Sequence, residues 1–238
     1  LIMGKLMQVQ EKNIKGFNLI ELLVVIAIIS VISAAAYPNF SSWKKAREVR
    51  GAAVKIKSLF TNINSQVQRG LYGFVQVEVT ALKTGEVEVI SKGMKLSNLS
   101  SKINDSKDDW NKDQTSRCAK NQDWDDEGMD SEGIKSNKLE VSFLKFDDIA
   151  VNFEAKSGTA KSGTVCFSKD GSWYSTAEEF ESSGAFYICE VKEIKCDVKE
   201  DGDPNDLNQD NLFALNWSRF GNITLEKWSK SKSEWILQ

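Results

Sequence analysis

The chain has no histidine among its 238 residues, and this absence excludes several classes of function. Serine and cysteine triads that depend on histidine, histidine general bases and imidazole-ligated metals are all ruled out. None of the four cysteines belongs to a Cys-x-x-Cys pair, so the sequence does not favour a zinc site either. Acidic residues are plentiful. A hydrolase that uses carboxylates alone is therefore a distant alternative, although no recognisable acid pair supports it.

The chain also lacks a large excess of charge, since its net charge is -3 with 27% charged residues. Bulk charge therefore gives no reason to expect nucleic-acid binding. The length allows one long helix and one domain with a core of its own. An even number of cysteines, all after Pro38, is typical of an exported domain with disulfides. Three pairings are open, and we favour Cys189–Cys196 with Cys118–Cys166.

A long apolar run, Leu22–Ala36, is interrupted by only two polar residues, Ser30 and Ser33. Counted from Phe17, it has the roughly 20 residues that a helix needs to cross the hydrocarbon of a bilayer. Glu21 stands near its start, where an ionised carboxylate is costly unless a cation pairs with it. An ordinary membrane anchor has no use for this acid, so we predict that Glu21 is functional.

The pair Gly16-Phe17, a glutamate four residues after Phe17, a basic leader and a helix rich in Val, Ile, Leu and Ala resemble the N-terminus of type IV pilins and the related pseudopilins. The resemblance covers about Lys12–Phe40 and includes Pro38, where many such pilins carry a proline. It implies cleavage after Gly16 by a prepilin peptidase and N-methylation at Phe17. It also implies that Glu21 neutralises the terminal amine of a neighbouring subunit during assembly. The alternative is an uncleaved signal anchor that tolerates an acid near the membrane surface.

The same reading divides the chain into four parts. Residues 1–16 are short and weakly basic and have no apolar h-region, which predicts a cytoplasmic leader that the mature protein lacks. Residues 17–38 are predicted to form a transmembrane and assembly helix, residues 39–70 its amphipathic continuation, and residues 71–238 a β-rich head with acidic loops.

The resemblance also implies where the protein works and with what. The precursor would be a single-pass protein of the inner (cell) membrane. The mature subunit would then lie in a surface pilus or in the periplasmic pseudopilus of a type II secretion system. The implied partners are copies of itself or other pilins, the prepilin peptidase, the inner-membrane assembly platform and, before assembly, membrane lipid. The implied role is structural, with no enzyme activity and no cofactor.

Apolar residues continue the helical period after Pro38 and indicate a helix from Phe17 to Arg69 that ends at Gly70. They recur at steps of four and three, which places them on one face that should pack on the head. The members are Val49, Ala53, Ile56, Phe60, Ile63 and Val67.

Six cations lie on the same part of the predicted helix: Lys44, Lys45, Arg47, Arg50, Lys55 and Lys57. They are expected to form its solvated or headgroup-facing side. The alternative is pairing with acidic loops of a neighbouring subunit.

Strands should follow the helix. Strict alternation over Phe74–Thr80 and Glu86–Ile90, with Lys83-Thr84-Gly85 between them, predicts a hairpin. Lys169-Asp170-Gly171 predicts a second hairpin between Thr164–Ser168 and Ser172–Ser175. A polar stretch from about Lys92 to Lys138 carries no strand pattern. Further strands are expected at Leu139–Leu144, Ile149–Phe153, Ala185–Ile194 and Asn222–Trp228.

These patterns together predict an α+β fold, with a long N-terminal helix packed on an antiparallel β-sheet head, as in pilins. The segment Ser162–Gly171 also weakly resembles the hairpin region of H-type, FimT-like minor pseudopilins. Strand and turn composition alone could produce that second likeness.

Two acidic clusters suggest calcium. Asp201, Asp203 and Asn205 alternate like the first ligands of an EF-hand loop, but Asp206 replaces the turn glycine and Leu212 the final glutamate. Asp123, Asp125 and Glu127 alternate likewise, yet the twelfth position is Ile134. Neither loop is an EF-hand, so calcium is a hypothesis beside that of solvated acidic loops.

The C-terminal tail interleaves aromatic residues with cations, a composition that suits contact with single-stranded DNA. The cations are Arg219, Lys227, Lys230 and Lys232, and the aromatic residues are Trp217, Phe220, Trp228 and Trp235. A minor pilin that binds DNA or an adhesion target at a filament tip is therefore the second functional hypothesis. The structural alternative, which we favour, is a last strand whose tryptophans pack on the core.

Overall fold

The computed structural model describes residues 18–83, 85–104, 118, 139–155, 158–160, 162–169, 171–175, 180–181, 184–191, 196–199, 202–207 and 209–238. The chain divides into two compact units, Leu1–Trp43 and Lys44–Gln238.

The helix α1 spans Leu19–Gln68 and includes Pro38, in agreement with the predicted helix. It ends in a left-handed residue, Gly70, at a φ of 77°. The Gly70 N–H donates to the Val67 carbonyl at 2.9 Å, and the Leu71 N–H donates to the Gln66 carbonyl at 3.1 Å. These two bonds form a Schellman motif, which satisfies carbonyls that the helix end leaves open.

No helix in the described part of the chain combines the length and the apolar character that crossing a membrane demands. The predicted membrane segment, residues 17–38, begins outside the described residues and stays a prediction.

A second helix and twelve strands make up the rest of the described fold. Their bounds are β1 Phe74–Lys83, β2 Glu86–Met94, α2 Leu96–Asn104, β3 Leu139–Asp147, β4 Ile149–Ala155, β5 Gly158–Ala160, β6 Ser162–Ser168, β7 Gly171–Ser175, β8 Phe180–Glu181, β9 Gly184–Glu190, β10 Phe213–Trp217, β11 Ile223–Ser229 and β12 Glu234–Leu237. Both predicted hairpins, β1–β2 and β6–β7, are present.

The described strands form two six-stranded sheets, where the sequence pattern led us to expect one. The first sheet has the order β3-β2-β1-β6-β7-β8 and the second β12-β11-β10-β9-β4-β5. The chain passes from the first sheet to the second at Asp148, whose φ of 60° is unusual for a residue other than glycine. A single turn residue therefore separates β3 from β4 and sends them into different sheets.

The main core lies where α1 and the inner faces of the two sheets meet. All six residues of the predicted apolar stripe on α1 are buried there. Phe60 packs edge-on against Phe167 of the first sheet at 5.8 Å between ring centroids, and against Trp217 of the second sheet at 6.4 Å. Burial of these rings accounts for why the second half of α1 stays on the head.

Each sheet also has a covered outer face. Leu99 of α2 joins Phe74, Met94 and the two cysteines Cys118 and Cys166 in a small cluster on the first sheet. The second sheet is covered by the chain that follows β9. That cluster contains Ala150, Ala185, Tyr187, Cys189, Cys196, Val198, Leu212, Ala214 and Trp228.

Four details differ from the sequence prediction. The polar stretch from Lys92 contains the end of β2 and the whole of α2. The strand expected at Ala185–Ile194 ends at Glu190, with residues 192–195 outside the described residues. Strands β10 and β12 have no counterpart in the prediction, because Phe213–Trp217 is short and Glu234–Leu237 does not alternate cleanly. The short strands β5 and β8 were not predicted either.

Candidate assembly site

Glu21 lies in the first turn of α1, among exposed apolar side chains. The helix begins here with the Leu22 N–H donating to the Asn18 carbonyl at 3.1 Å. Within the described residues, no ion pair involves Glu21. Gly16 and Phe17, the predicted cleavage and methylation positions, lie outside the described residues. The carboxylate is therefore open to a cation that the described chain does not supply.

The apolar side chains around Glu21, from Leu19 to Ile32, are all exposed. Leu19 exposes 75% of its surface and Val31 exposes 71%. The others with high exposure are Ile20, Leu22, Leu23, Val24, Val25, Ile26, Ile28, Ile29 and Ile32. An apolar surface of this extent marks an interaction site, since soluble monomers rarely leave one open to water.

Ser30 is a polar residue of the apolar run, and its hydroxyl forms a hydrogen bond within the helix. Its Oγ donates to the Ile26 carbonyl one turn earlier, at 2.7 Å. A carboxylate only accepts hydrogen bonds when ionised, and the carbonyls of the helix cannot serve it. Unlike Ser30, an ionised Glu21 therefore cannot hydrogen-bond to the carbonyls of its own helix. Pro38, the other predicted assembly residue, lies inside α1, and its role stays a prediction.

The cations of the second half of α1 meet acids and carbonyls of the same chain. The Lys45 ammonium lies 3.3 Å from the Glu190 carboxylate at the end of β9, and Lys44 lies 3.7 Å from Glu48 one turn on. The Lys57 Nζ donates to the Gln238 carbonyl at 3.2 Å. These contacts agree with a solvated side of the helix and leave pairing with a neighbour as an untested alternative.

A groove runs along the outer face of the same half of α1. It is lined by Lys57, Ser58, Thr61, Asn62 and Ser65. These groups offer hydroxyls, amides and one ammonium, which can form hydrogen bonds but hold no acid–base pair.

The four cysteines form the two favoured bonds, Cys118–Cys166 and Cys189–Cys196. Cys118 is further held by its carbonyl, which accepts hydrogen bonds from the Thr164 hydroxyl at 2.6 Å and the Gln76 amide at 3.2 Å. All of these groups are buried. The bond and the two hydrogen bonds therefore fasten this residue to the outer face of the first sheet.

The second disulfide fastens the chain after β9 to the outer face of the second sheet. The buried Asn152 side chain supports it, because its Oδ1 accepts the Cys196 N–H at 3.0 Å. Gly202 lies so close to Tyr187 that a Cβ at this position would come within 2.3 Å of the tyrosine oxygen. Gly202 is therefore held closely against Tyr187 of the sheet.

The calcium hypothesis concerns the acidic loop after Cys196. Asp203, Asn205 and Asp206 are described, whereas Asp201 and the other cluster at Asp123–Glu127 lie outside the described residues. The Asn205 amide donates to the Asp197 carboxylate, which engages both side chains. No group of three or more acids, cysteines or histidines suited to a metal occurs within the described ranges. Calcium binding by the complete loop stays a prediction.

The aromatic residues of the C-terminal tail are largely occupied by the core. Trp217 and Trp228 are buried. Trp235 packs against Trp228, and their ring centroids are 5.5 Å apart. Two of the tail cations contact acids, because Lys230 lies 2.7 Å from Asp210 and Lys232 lies 3.5 Å from Glu234. The structural alternative for this tail agrees with the burial of Trp217 and Trp228, whose rings are not open to bases, whereas Trp235 is partly exposed. Binding of nucleic acid by Arg219 and Lys227 stays a prediction without that support.

Phe220 is the exception, since it exposes 82% of its surface at the tip of the β10–β11 hairpin. The tip is fastened to α1 by the Asn64 amide, which donates to the Gly221 carbonyl at 2.9 Å. Gly221 has a φ of 78°, and a Cβ there would lie 2.6 Å from Asn64. Sequence reasoning missed this clamp, because Gly221 can signal the turn of a hairpin but not the distant partner Asn64.

Part of the chain is similar to known proteins. Residues 12–37 match a family model described as a prokaryotic N-terminal methylation motif. The chain is 40% identical over 47 residues to the type IV major pilin protein PilA of Myxococcus xanthus (strain DK1622), which covers 20% of this chain and 21% of that protein. It is 36% identical over 56 residues to a fimbrial protein of Pseudomonas aeruginosa, covering 24% of this chain and 36% of that protein. No solved structure matches.

A long N-terminal helix that follows a methylation motif and precedes antiparallel sheets agrees with the α+β fold of pilins. By this motif and these relatives, the N-terminal part of the chain is similar to type IV pilins. The similarity spans between about a fifth and a third of the length of these curated relatives.

Proposed function

We propose that this chain is a filament subunit that polymerises through the first half of α1 into a type IV pilus or a type II secretion pseudopilus. In this proposal it is made as a single-pass precursor in the inner membrane. A prepilin peptidase cleaves it after Gly16, and Phe17 is N-methylated. The head covers the outside of the filament.

The observation that carries this proposal is the combination of an exposed apolar helix surface with a single carboxylate, Glu21. The apolar surface is suited first to lipid and then to the same surface of other subunits. Its burial would contribute about 25 cal/mol per Å² in either setting. Glu21 then determines register, since an uncompensated buried charge is strongly destabilising and only a cation in the right place relieves it. Cleavage after Gly16 would create such a cation at the amine of Phe17.

The decisive experiment compares Glu21→Ala and Glu21→Gln with Ser30→Ala in the native host. Ser30 is a matched control, because its hydroxyl is satisfied inside the same apolar run. We expect both Glu21 variants to enter the membrane and be cleaved but to yield few or no filaments, whereas Ser30→Ala assembles normally. Intact mass measures cleavage and methylation, and the sheared or periplasmic fraction measures filament yield. Normal filaments from Glu21→Ala would refute the assembly role.

The same fractions separate the two filament types. A pilus subunit should be abundant in sheared surface fibres and begin at a methylated phenylalanine, whereas a pseudopilin should be scarce and periplasmic. A subunit recovered only with residues 1–16 attached, and never with other copies, would overturn the proposal as a whole. Tip binding of DNA is not proposed, because Trp217 and Trp228 are buried and, of the tail aromatic residues named above, only Phe220 is largely exposed.

A further inference from the structure

An exposed aromatic pair stands on α1 after the apolar run. Phe40 exposes 61% of its surface and Trp43 exposes 55%. Their ring centroids are 5.9 Å apart, with the planes tilted by 36°. Residues three apart on a helix lie on the same side, so the two rings form one surface. A pair of large rings this open to water calls for a partner that offers an apolar and a polar environment together.

The helical register locates the pair relative to the apolar run. α1 rises 1.5 Å per residue, so Phe40 lies about 31 Å along the axis from Leu19 and Trp43 about 36 Å. The hydrocarbon of a bilayer is about 30 Å thick, and headgroups bring the total to about 40–45 Å. When Leu19 is at one edge of the hydrocarbon, both rings fall just outside the opposite edge.

Sequence on both sides of the pair agrees with this location. Glu21 is the only charged residue between Leu19 and Trp43, and the next two residues, Lys44 and Lys45, are cations that anionic headgroups attract. Tryptophan and other aromatic residues are enriched at the membrane–water boundary because their rings suit its mixed polarity.

We propose that Phe40 and Trp43 form an interfacial anchor that contacts the headgroup layer on the side of the exported head. The anchor sets how deeply the precursor sits in the membrane before assembly. This inference rests on the proposed membrane-bound precursor and adds the lipid layer that these two residues recognise.

The test uses the full chain in vesicles of phosphatidylethanolamine and phosphatidylglycerol. Bromine atoms on the lipid chains quench tryptophan fluorescence on contact, and they can be placed close to the headgroup or deep in the hydrocarbon. The difference between the unaltered chain and Trp43→Phe isolates the signal of Trp43. Trp235→Phe is the matched control, since Trp235 lies in the head against Trp228. We expect shallow bromines to quench the Trp43 signal at least about twofold more than deep ones, and the control to lose none of the lipid-dependent quenching.

The possible failures differ from one another. If the chain enters the vesicles but Trp43 is quenched by aqueous acrylamide and not by bromine, the anchor is refuted while the membrane-bound precursor stands. Equal or stronger quenching by deep bromines also refutes it, since the ring would then lie in the hydrocarbon. Protection from both quenchers together with self-association would assign the pair to a second copy instead. A chain that does not enter vesicles at all would overturn the membrane-bound precursor and the anchor together.

Discussion

The two halves of α1 both carry apolar residues but leave them in opposite states, exposed in the first half and largely buried in the second. From Leu19 to Ile32 the apolar side chains are exposed, whereas from Val49 to Val67 the apolar stripe is buried against two sheets. The first half is apolar on every side, while the second half is apolar on one face and cationic or polar on the other. A helix that is apolar all round needs other molecules to cover it, whereas an amphipathic helix can be covered by its own chain. The second half therefore contributes to the folding of the head, and the first half is the part that we propose for assembly.

The largest expected effect tests this division directly. Phe60→Ala removes a fully buried ring from between the two sheets and should lower the free energy of unfolding by about 3–5 kcal/mol. Leu23→Ala, in the exposed half, should leave the unfolding of the head unchanged within about 0.5 kcal/mol. Denaturant unfolding of the full chain in detergent, followed by near-ultraviolet circular dichroism, gives both values. Equal losses for the two variants would break the comparison.

The disulfides allow the head to be loosened without altering the helix. Replacing Cys118 and Cys166 together by serine opens a loop of 48 residues, and chain entropy predicts a loss of about 4 kcal/mol. The same change at Cys189 and Cys196, 7 residues apart, should cost about 2 kcal/mol. Neither should change the amount of chain found in the membrane fraction, because the exposed half does not depend on the head. A membrane fraction that falls in step with head stability would argue against that independence.

Replacement by alanine should change the stability of the protein in opposite directions at two glycines. A Cβ at Gly51, in α1, meets nothing within 4 Å, so Gly51→Ala should raise stability by about 0.5–1 kcal/mol through helix propensity. Gly221→Ala should lower stability by about 1–3 kcal/mol, because its φ is positive and a Cβ would strike Asn64. Thermal melts of the two variants provide the comparison. A loss at Gly51 would indicate that this part of α1 is packed differently.

The smallest effect concerns the ion pair between Lys45 and Glu190. Lys45 is more than half exposed, so a double-mutant cycle with alanine at both positions should give a coupling energy of at most about 1 kcal/mol. That coupling should weaken as salt is added, since exposed charges are screened. A larger, salt-independent coupling would mean that this pair holds α1 to the head more firmly than the apolar stripe implies.

Several elements could be predicted from the sequence because they depend mainly on residues that are close together in the chain. The steps of four and three from Val49 to Val67 predicted both the helix and its buried face, and Gly70 predicted its end. The hairpin around Asp170-Gly171 followed from turn chemistry in the same way.

Other features escaped sequence reasoning because distant contacts produce them. α2 lies in a polar stretch and is retained by Leu99 against Phe74 and Met94, residues that lie outside α2. The tail tryptophans look like a binding surface in the sequence, but the sheets bury Trp217 and Trp228. Clamps such as Asn64 on Gly221 join positions 157 residues apart and leave little local trace.

By itself, the sequence determined the match of residues 12–37 to a methylation motif, the acid at Glu21 within it, and the succession of helix and hairpins, because each depends on residues that are neighbours in the chain. Only the tertiary structure decided that the strands divide into two sheets at Asp148, and which aromatic rings are buried and which stay exposed. These outcomes depend on which surfaces meet when the chain closes on itself, and that is a property of the whole packed head.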